Sequence, residues 1–209
     1  MVTNIRWKRH GELVEGDFVF SPSGKPTKVI ATSKSDFADI EVEFFDGSVI
    51  KCHRNHEWTV FDRGAKGPKW KTYETNYFTQ VKTTSTSGGK TRARFQIPVT
   101  KCLEYPEKSL PIHPYFLGMW LGDGKSCEPQ ITHHIEDYQS IEKIEAVCGY
   151  SRPSAWQHST TGVVHTSFAG NGIRKVLGKL KLLNNKHIPE EYLLSSKEQR
   201  LELLAGLLS

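Results

Sequence analysis

Phe116-Leu117-Gly118-Met119-Trp120-Leu121-Gly122-Asp123-Gly124 is an apolar run with two glycines four apart and an acid-glycine pair at its end. Residues four apart share one side of a helix, and a glycine there lets a second backbone come close because it has no Cβ. A second run of the same kind closes the sequence: Leu203-Leu204-Ala205-Gly206-Leu207-Leu208-Ser209. Two helices notched in this way can lie side by side, with the Asp123 carboxylate at the foot of the pair. Taken by itself, the second run also reads as an ordinary amphipathic core helix.

Pro114 stands in the first turn of the helix, where its missing N–H costs nothing. The prolines from Tyr105-Pro106 to Pro114 predict a domain joint. After the joint the pattern predicts a strand over Ile131–His133 and a helix over Asp137–Val147, with Ile141, Ile144 and Val147 on its inner face. A strand over Val163–Phe168 and a basic helix over Asn171–Leu183 follow. Ser195-Ser196-Lys197-Glu198 reads as an N-cap with an acidic first turn. The glycine-rich Ala169–Arg174 stretch lacks phosphate-loop spacing and is a turn with a cap.

Before the joint the pattern is β-rich. Strands are predicted at Asp17–Phe20, Thr27–Thr32, Asp39–Phe44, Val49–Cys52 and Glu57–Phe61, with Pro22–Pro26 and Asp46-Gly47 as turns. Asp62–Lys69 and Thr83–Lys90 read as exposed loops.

The chain has 209 residues, 37% hydrophobic, with a formal net charge of +5, a mild excess compatible with a polyanion partner. Cys52, Cys102, Cys127 and Cys148 form no CxxC pair, which excludes zinc-ribbon spacing and suggests reduced thiols in a cytoplasmic protein. Met1–Arg9 has no apolar core of a signal peptide. No apolar run approaches the roughly twenty residues that span a bilayer, so no membrane partner is expected.

Two constellations carry the chemistry. The first is Leu13-x-x-Gly16-Asp17-x-Val19, then Gly24-Lys25-Pro26 and Val29, then Cys52-His53-Arg54-Asn55-His56. It resembles the Hint fold of inteins, whose T-x-x-H block sits beside the splice junction. The resemblance puts His53 in the Thr place and His56 in the His place. His56 would then protonate the departing amide nitrogen, a task suited to a group titrating near neutrality, with His53 and Asn55 orienting the carbonyl. No Cys or Ser nucleophile stands at the start, where Val2–Ile5 has the look of a remnant first strand, and no His-Asn junction stands at the end. The chain is not expected to splice as it stands.

The second constellation is the paired helix motif. Leu117-Gly118, Leu121 and Asp123-Gly124, with Leu204-Ala205-Gly206-Leu207-Leu208, resemble the LAGLIDADG (DOD-type) homing endonucleases, and so does the lead-in Lys186-His187-Ile188-Pro189. The resemblance implies an α+β chain: a β-rich Hint-like domain over residues 1–105, then an α/β endonuclease half-domain over 110–209. It also implies metal-dependent double-strand cleavage of DNA, with Mg²⁺ held by the Asp123 carboxylate near the Gly122 carbonyl. Oxygen ligands suit that ion, which activates water and stabilises the leaving oxygen. The second acid would fall two residues past Ser209, so the isolated chain is expected to be inactive. Phosphate contacts are expected from Lys125, Arg152, Arg174, Lys175 and Lys179, each of which also reads as a solvated surface charge. Partners would be double-stranded DNA and a second LAGLIDADG repeat or a complementary C-terminal intein half. Three alternatives stay open: the N-terminal half of a split intein, a free-standing endonuclease with a vestigial Hint domain, and a DNA-binding module without catalysis.

Overall fold

Proline and glycine set the first turn. Ser21 N–H donates to Lys25 and Gly24 N–H to Ser21, joining β1 (Phe18–Phe20) to β2 (Pro26–Lys28). Gly24 has φ +85°, and a Cβ there would run into the Cys102 carbonyl, so no other residue fits. The computed structural model describes residues 1–33, 37–64, 69–151 and 154–209. It is a mixed α+β structure with several small antiparallel sheets. It divides into two compact units: Met1–Thr3 with Trp7–Cys102, and Asn4–Arg6 with Leu103–Ser209.

In the first unit β3 (Ile40–Glu43) and β4 (Val49–Cys52) form a hairpin. Its loop closes on Gly47 (φ +81°), with Asp46 Oδ1 accepting from the Ser48 amide at 2.9 Å. β5 (Glu57–Asp62) pairs with β6 (Lys69–Glu74) and β9 (Phe95–Gln96), and α1 (Thr75–Thr79) follows β6. Tyr73 and Tyr77 stack at 4.1 Å between ring centres, and Phe78 and Phe95 pack edge to face. Beneath them the buried Asp62 accepts from Arg94 at 2.8 and 3.1 Å, from the Gly64 amide at 2.8 Å and from the Tyr73 hydroxyl at 3.0 Å. Arg94 and these donors hold the Asp62 carboxyl well below the usual carboxylate range, while burial pushes the Tyr73 phenol up to about 12.

In the second unit α2 (Pro114–Asp123), α3 (Tyr138–Cys148), α4 (Ile173–Lys179), α5 (Glu190–Leu193) and α6 (Lys197–Leu207) accompany a sheet ordered β10 (Gln130–His134), β12 (Val163–Ser167), β11 (Ser154–Gln157). Phe116, Trp120, Ile131, Ile141, Ile144, Phe168 and Leu177 meet in one buried core.

Several expectations differ from what forms. Val2–Ile5 makes isolated bridges, Val2 to Trp7 and Thr3 to Val19, not a strand. The strand expected over Thr27–Thr32 stops at Lys28. The basic helix ends at Lys179, not Leu183, because Lys181 turns left-handed (φ 58°). The Leu182 amide then bonds back to Leu177 and the Lys181 amide to Gly178, the closing pattern usually made by glycine. Val147 is 46% exposed, and Cys148 packs against the core in its place. Thr83–Lys90 is no loop: β7 (Thr84–Ser87) pairs with β8 (Lys90–Ala93) across Gly88-Gly89. Part of the Asp62–Lys69 stretch lies outside the described residues.

Candidate functional site

Both helices of the notched pair are placed by their starts. His113 caps α2, its ring accepting from the Tyr115 amide. Ser196 and Gln199 form a reciprocal capping box on α6, and the Gln199 side chain is also bonded to both backbone groups of Lys108, at 3.0 and 2.6 Å.

α2 and α6 then pack through their glycines. A Cβ on Gly118 would collide with the Leu203 carbonyl oxygen and lie 2.8 Å from the Leu207 nitrogen. A Cβ on Gly206 would collide with the Tyr115 carbonyl oxygen and lie 2.9 Å from the Met119 nitrogen. These contacts are reciprocal. One offset of 88 positions carries Gly118 to Gly206, Tyr115 to Leu203 and Met119 to Leu207. Such self-complementary contact is the mark of a local two-fold axis. At Gly122 the approach is looser: a Cβ there would meet the Leu207 oxygen at 3.6 Å, an ordinary contact. Trp120 is buried and Leu207 packs against the same core.

Gly122 and Asp123 emerge exposed at the end of α2. A residue from far along the chain organises this end. Lys186, half-buried, donates to the carbonyls of Leu121 (3.2 Å) and Gly124 (2.5 Å) and lies 5.1 Å from the centre of the Trp120 ring. An ammonium on the last carbonyls of a helix answers their partial negative charge. Burial pushes the Lys186 ammonium below its usual value, and the Asp123 charge pulls it back up. Lys186 stood inside the lead-in singled out above, but its target, far away in sequence, was not readable there.

The expected phosphate contacts are scattered. Lys125 pairs with Glu128 at 3.1 Å. Arg174, Lys175 and Lys179 point outward from α4, whose Ile173 and Leu177 face the core. Arg152 lies outside the described residues. The outer face of the sheet carries a different set. Register aligns Thr132, His165 and Trp156 in one row across three strands. The Thr132 hydroxyl lies 2.9 Å from His165 Nδ1, and His165 stacks on Trp156 with 5.5 Å between ring centres. Ile131, Val164 and Thr166 occupy the inner face and are buried.

In the first unit, Asp17 explains the Gly16-Asp17 pair. It takes Lys8 on both oxygens at 2.7 Å and the Val14 amide at 3.0 Å, while Gly16 holds φ +94°. His53 and His56 lie not on a strand but in the turn between β4 and β5, where the His56 amide donates to the His53 carbonyl at 2.9 Å. A strand would have put them on opposite faces; the turn closes them together. The His53 ring accepts from the Asn55 amide, and the exposed His56 ring packs edge-on to Trp58 at 4.9 Å. An apolar cleft of about 460 Å³ opens beside this turn's strands, lined by Val42, Phe44, Trp58, Phe78, Phe95 and Ile97 among others.

No protein-family model matches the chain. A protein of Mycobacterium intracellulare named replicative DNA helicase DnaB is 33% identical over 224 aligned positions. The match takes in 99% of this chain and 35% of that protein, so the chain spans about a third of the length of the curated relative it matches.

Proposed function

We propose that the second unit is one half of a LAGLIDADG-type DNA endonuclease, joined to a Hint-like β unit of an intein. The reciprocal Gly118–Gly206 contact carries this reading. The same offset of 88 would carry Asp123 to the second place after Ser209. A pair of acids there would stand together at the foot of the helices.

Among the described residues no three His, Cys, Asp or Glu side chains gather to hold a metal. Mg²⁺ does not require such a cage, since it keeps waters and shares substrate phosphates with one or two carboxylates. An exposed carboxylate beside helix-end carbonyls fits that habit. When bound, the ion would supply an activated water and stabilise the negative charge that develops on the leaving oxygen. Asp123 would hold it. Lys186 would steady the end of α2 and place positive charge beside the scissile phosphate. The sheet's Thr132–His165–Trp156 face would offer hydroxyl, imidazole and indole groups to base edges in the major groove.

The match to part of a helicase chain supports a DNA-linked setting. The sequence has no Gly-x-x-x-x-Gly-Lys-Ser/Thr loop, so nothing favours reading the shared stretch as a nucleotide-driven motor. The open apolar cleft of the first unit favours the partner expected there, a complementary C-terminal intein half, which would lay an extended apolar segment into it. His56 remains the proposed acid of that unit.

The cleavage test uses supercoiled DNA with random inserts. The chain extended by two residues to end in aspartate should linearise it in Mg²⁺. The same chain ending in asparagine, the Asp123→Asn variant and EDTA should each abolish cutting. No cutting by the aspartate chain, or cutting that survives Asp123→Asn, contradicts the reading.

A further inference from the structure

We infer that the β7–β8 ribbon is a second DNA-binding element, an arm that grips the phosphate backbone of double-stranded DNA and belongs to the β unit. The choice of DNA as its polyanion rests on the nuclease reading of the second unit. The ribbon itself stands on separate observations.

Every side chain of Thr84–Ser87 and of Lys90–Arg92 is exposed. Register pairs Ser85 with Arg92 and Ser87 with Lys90, and Thr84 with Ala93 and Thr86 with Thr91. Alternation therefore puts two cations and two hydroxyls on one face, and three threonines on the other. Neither face is buried, and a two-stranded hairpin with no packed face is marginal in water. What holds it is local: Gly88 and Gly89 in left-handed conformation at the turn (φ 57° and 74°) and the Thr86 and Thr91 hydroxyls 3.2 Å apart.

The charge is one-sided. From Asn76 to Leu103 the sequence has Lys82, Lys90, Arg92, Arg94 and Lys101 and no acid. Arg94 is committed to Asp62, while Lys82, Lys90 and Arg92 face solvent. Lys90 and Arg92 stand two apart on one strand and share a face, and an anionic partner would relieve their mutual repulsion. A two-stranded ribbon is of a width the major groove admits. Lys and Arg with Ser and Thr hydroxyls are the groups that bind phosphate oxygens without reading sequence.

The test is the salt dependence of binding by the full chain to a random-sequence duplex, followed by fluorescence anisotropy. Each phosphate contact adds about 0.9 to the slope of log K against log salt. Lys82→Ser/Lys90→Ser/Arg92→Ser together should lower the slope by about two to three and weaken binding about tenfold or more. Lys82→Arg/Lys90→Arg/Arg92→Lys should leave both unchanged. Thr132→Ala/Trp156→Ala reports on the sheet of the second unit. If only the serine variant loses slope, the arm stands and the sheet's role in the nuclease reading fails. If only the sheet variant weakens binding, the arm is overturned. No binding by the unaltered chain at low salt, or tighter binding to anionic vesicles than to DNA, overturns it too.

Discussion

Lys186 sits at the end of α2 within reach of the Asp123 charge. Asp123 raises the Lys186 ammonium that burial depresses, so Asp123→Asn should lower the Lys186 pKa further. Titration followed by NMR of the Lys186 side chain checks this; an unchanged or higher value would mean the two do not interact. Asp62 gives a second titration. Its folded value lies below the ordinary carboxylate range, so its stabilisation is complete above the unfolded value of about 3.9 and is lost as pH falls through the folded one. Urea midpoints of the unaltered chain should hold from neutrality to about pH 4 and drop below it. Asp62→Asn should flatten that drop and lower the plateau. The place of Asp123 at a helix end was legible in the sequence because it closes a glycine-notched apolar run. Lys186 and Asp62 were not, since the partners that define them come from Gly124 and Arg94, far along the chain.

At the scale of the element, the glycines divide by what surrounds them. In a helix interior Gly→Ala gains about 1 kcal/mol of propensity, while forcing atoms into a packed interface costs about 1–3 kcal/mol. Clash should win at Gly118 and Gly206, where the partner backbone blocks a Cβ. Gly118→Ala and Gly206→Ala should each destabilise the second unit by about 1–3 kcal/mol or more. Gly122→Ala meets ordinary contact at 3.6 Å, and its effect should lie within about 1 kcal/mol of zero. Chemical denaturation of the three variants separates the cases; equal effects at all three positions would refute the close approach. Ser196→Ala removes one arm of the capping box and should cost about 1 kcal/mol. The notched pair and this cap were readable because both are written in local spacing. The early end of α4 was hidden because a lysine takes the left-handed place a glycine usually marks. The β7–β8 ribbon was hidden because its strands bury nothing, so their hydrophobic alternation is absent.

At the scale of the molecule, a β unit with an open apolar cleft and an α/β unit built on a two-fold helix pair occur in one chain, which aligns with about a third of a helicase. The mixed α+β class was readable from the change of hydrophobic period near the proline-rich stretch. What each unit is proposed to act on comes only from resemblance, because catalytic groups leave little periodic trace in sequence. The proposed nuclease function requires a divalent-cation site at the end of α2. Paramagnetic broadening by Mn²⁺ in the NMR spectrum of the 209-residue chain locates such a site directly. Amide signals of Gly122 to Lys125 should broaden first and Asp123→Asn should abolish the effect; broadening centred elsewhere, or unchanged by that substitution, would contradict a cation site there.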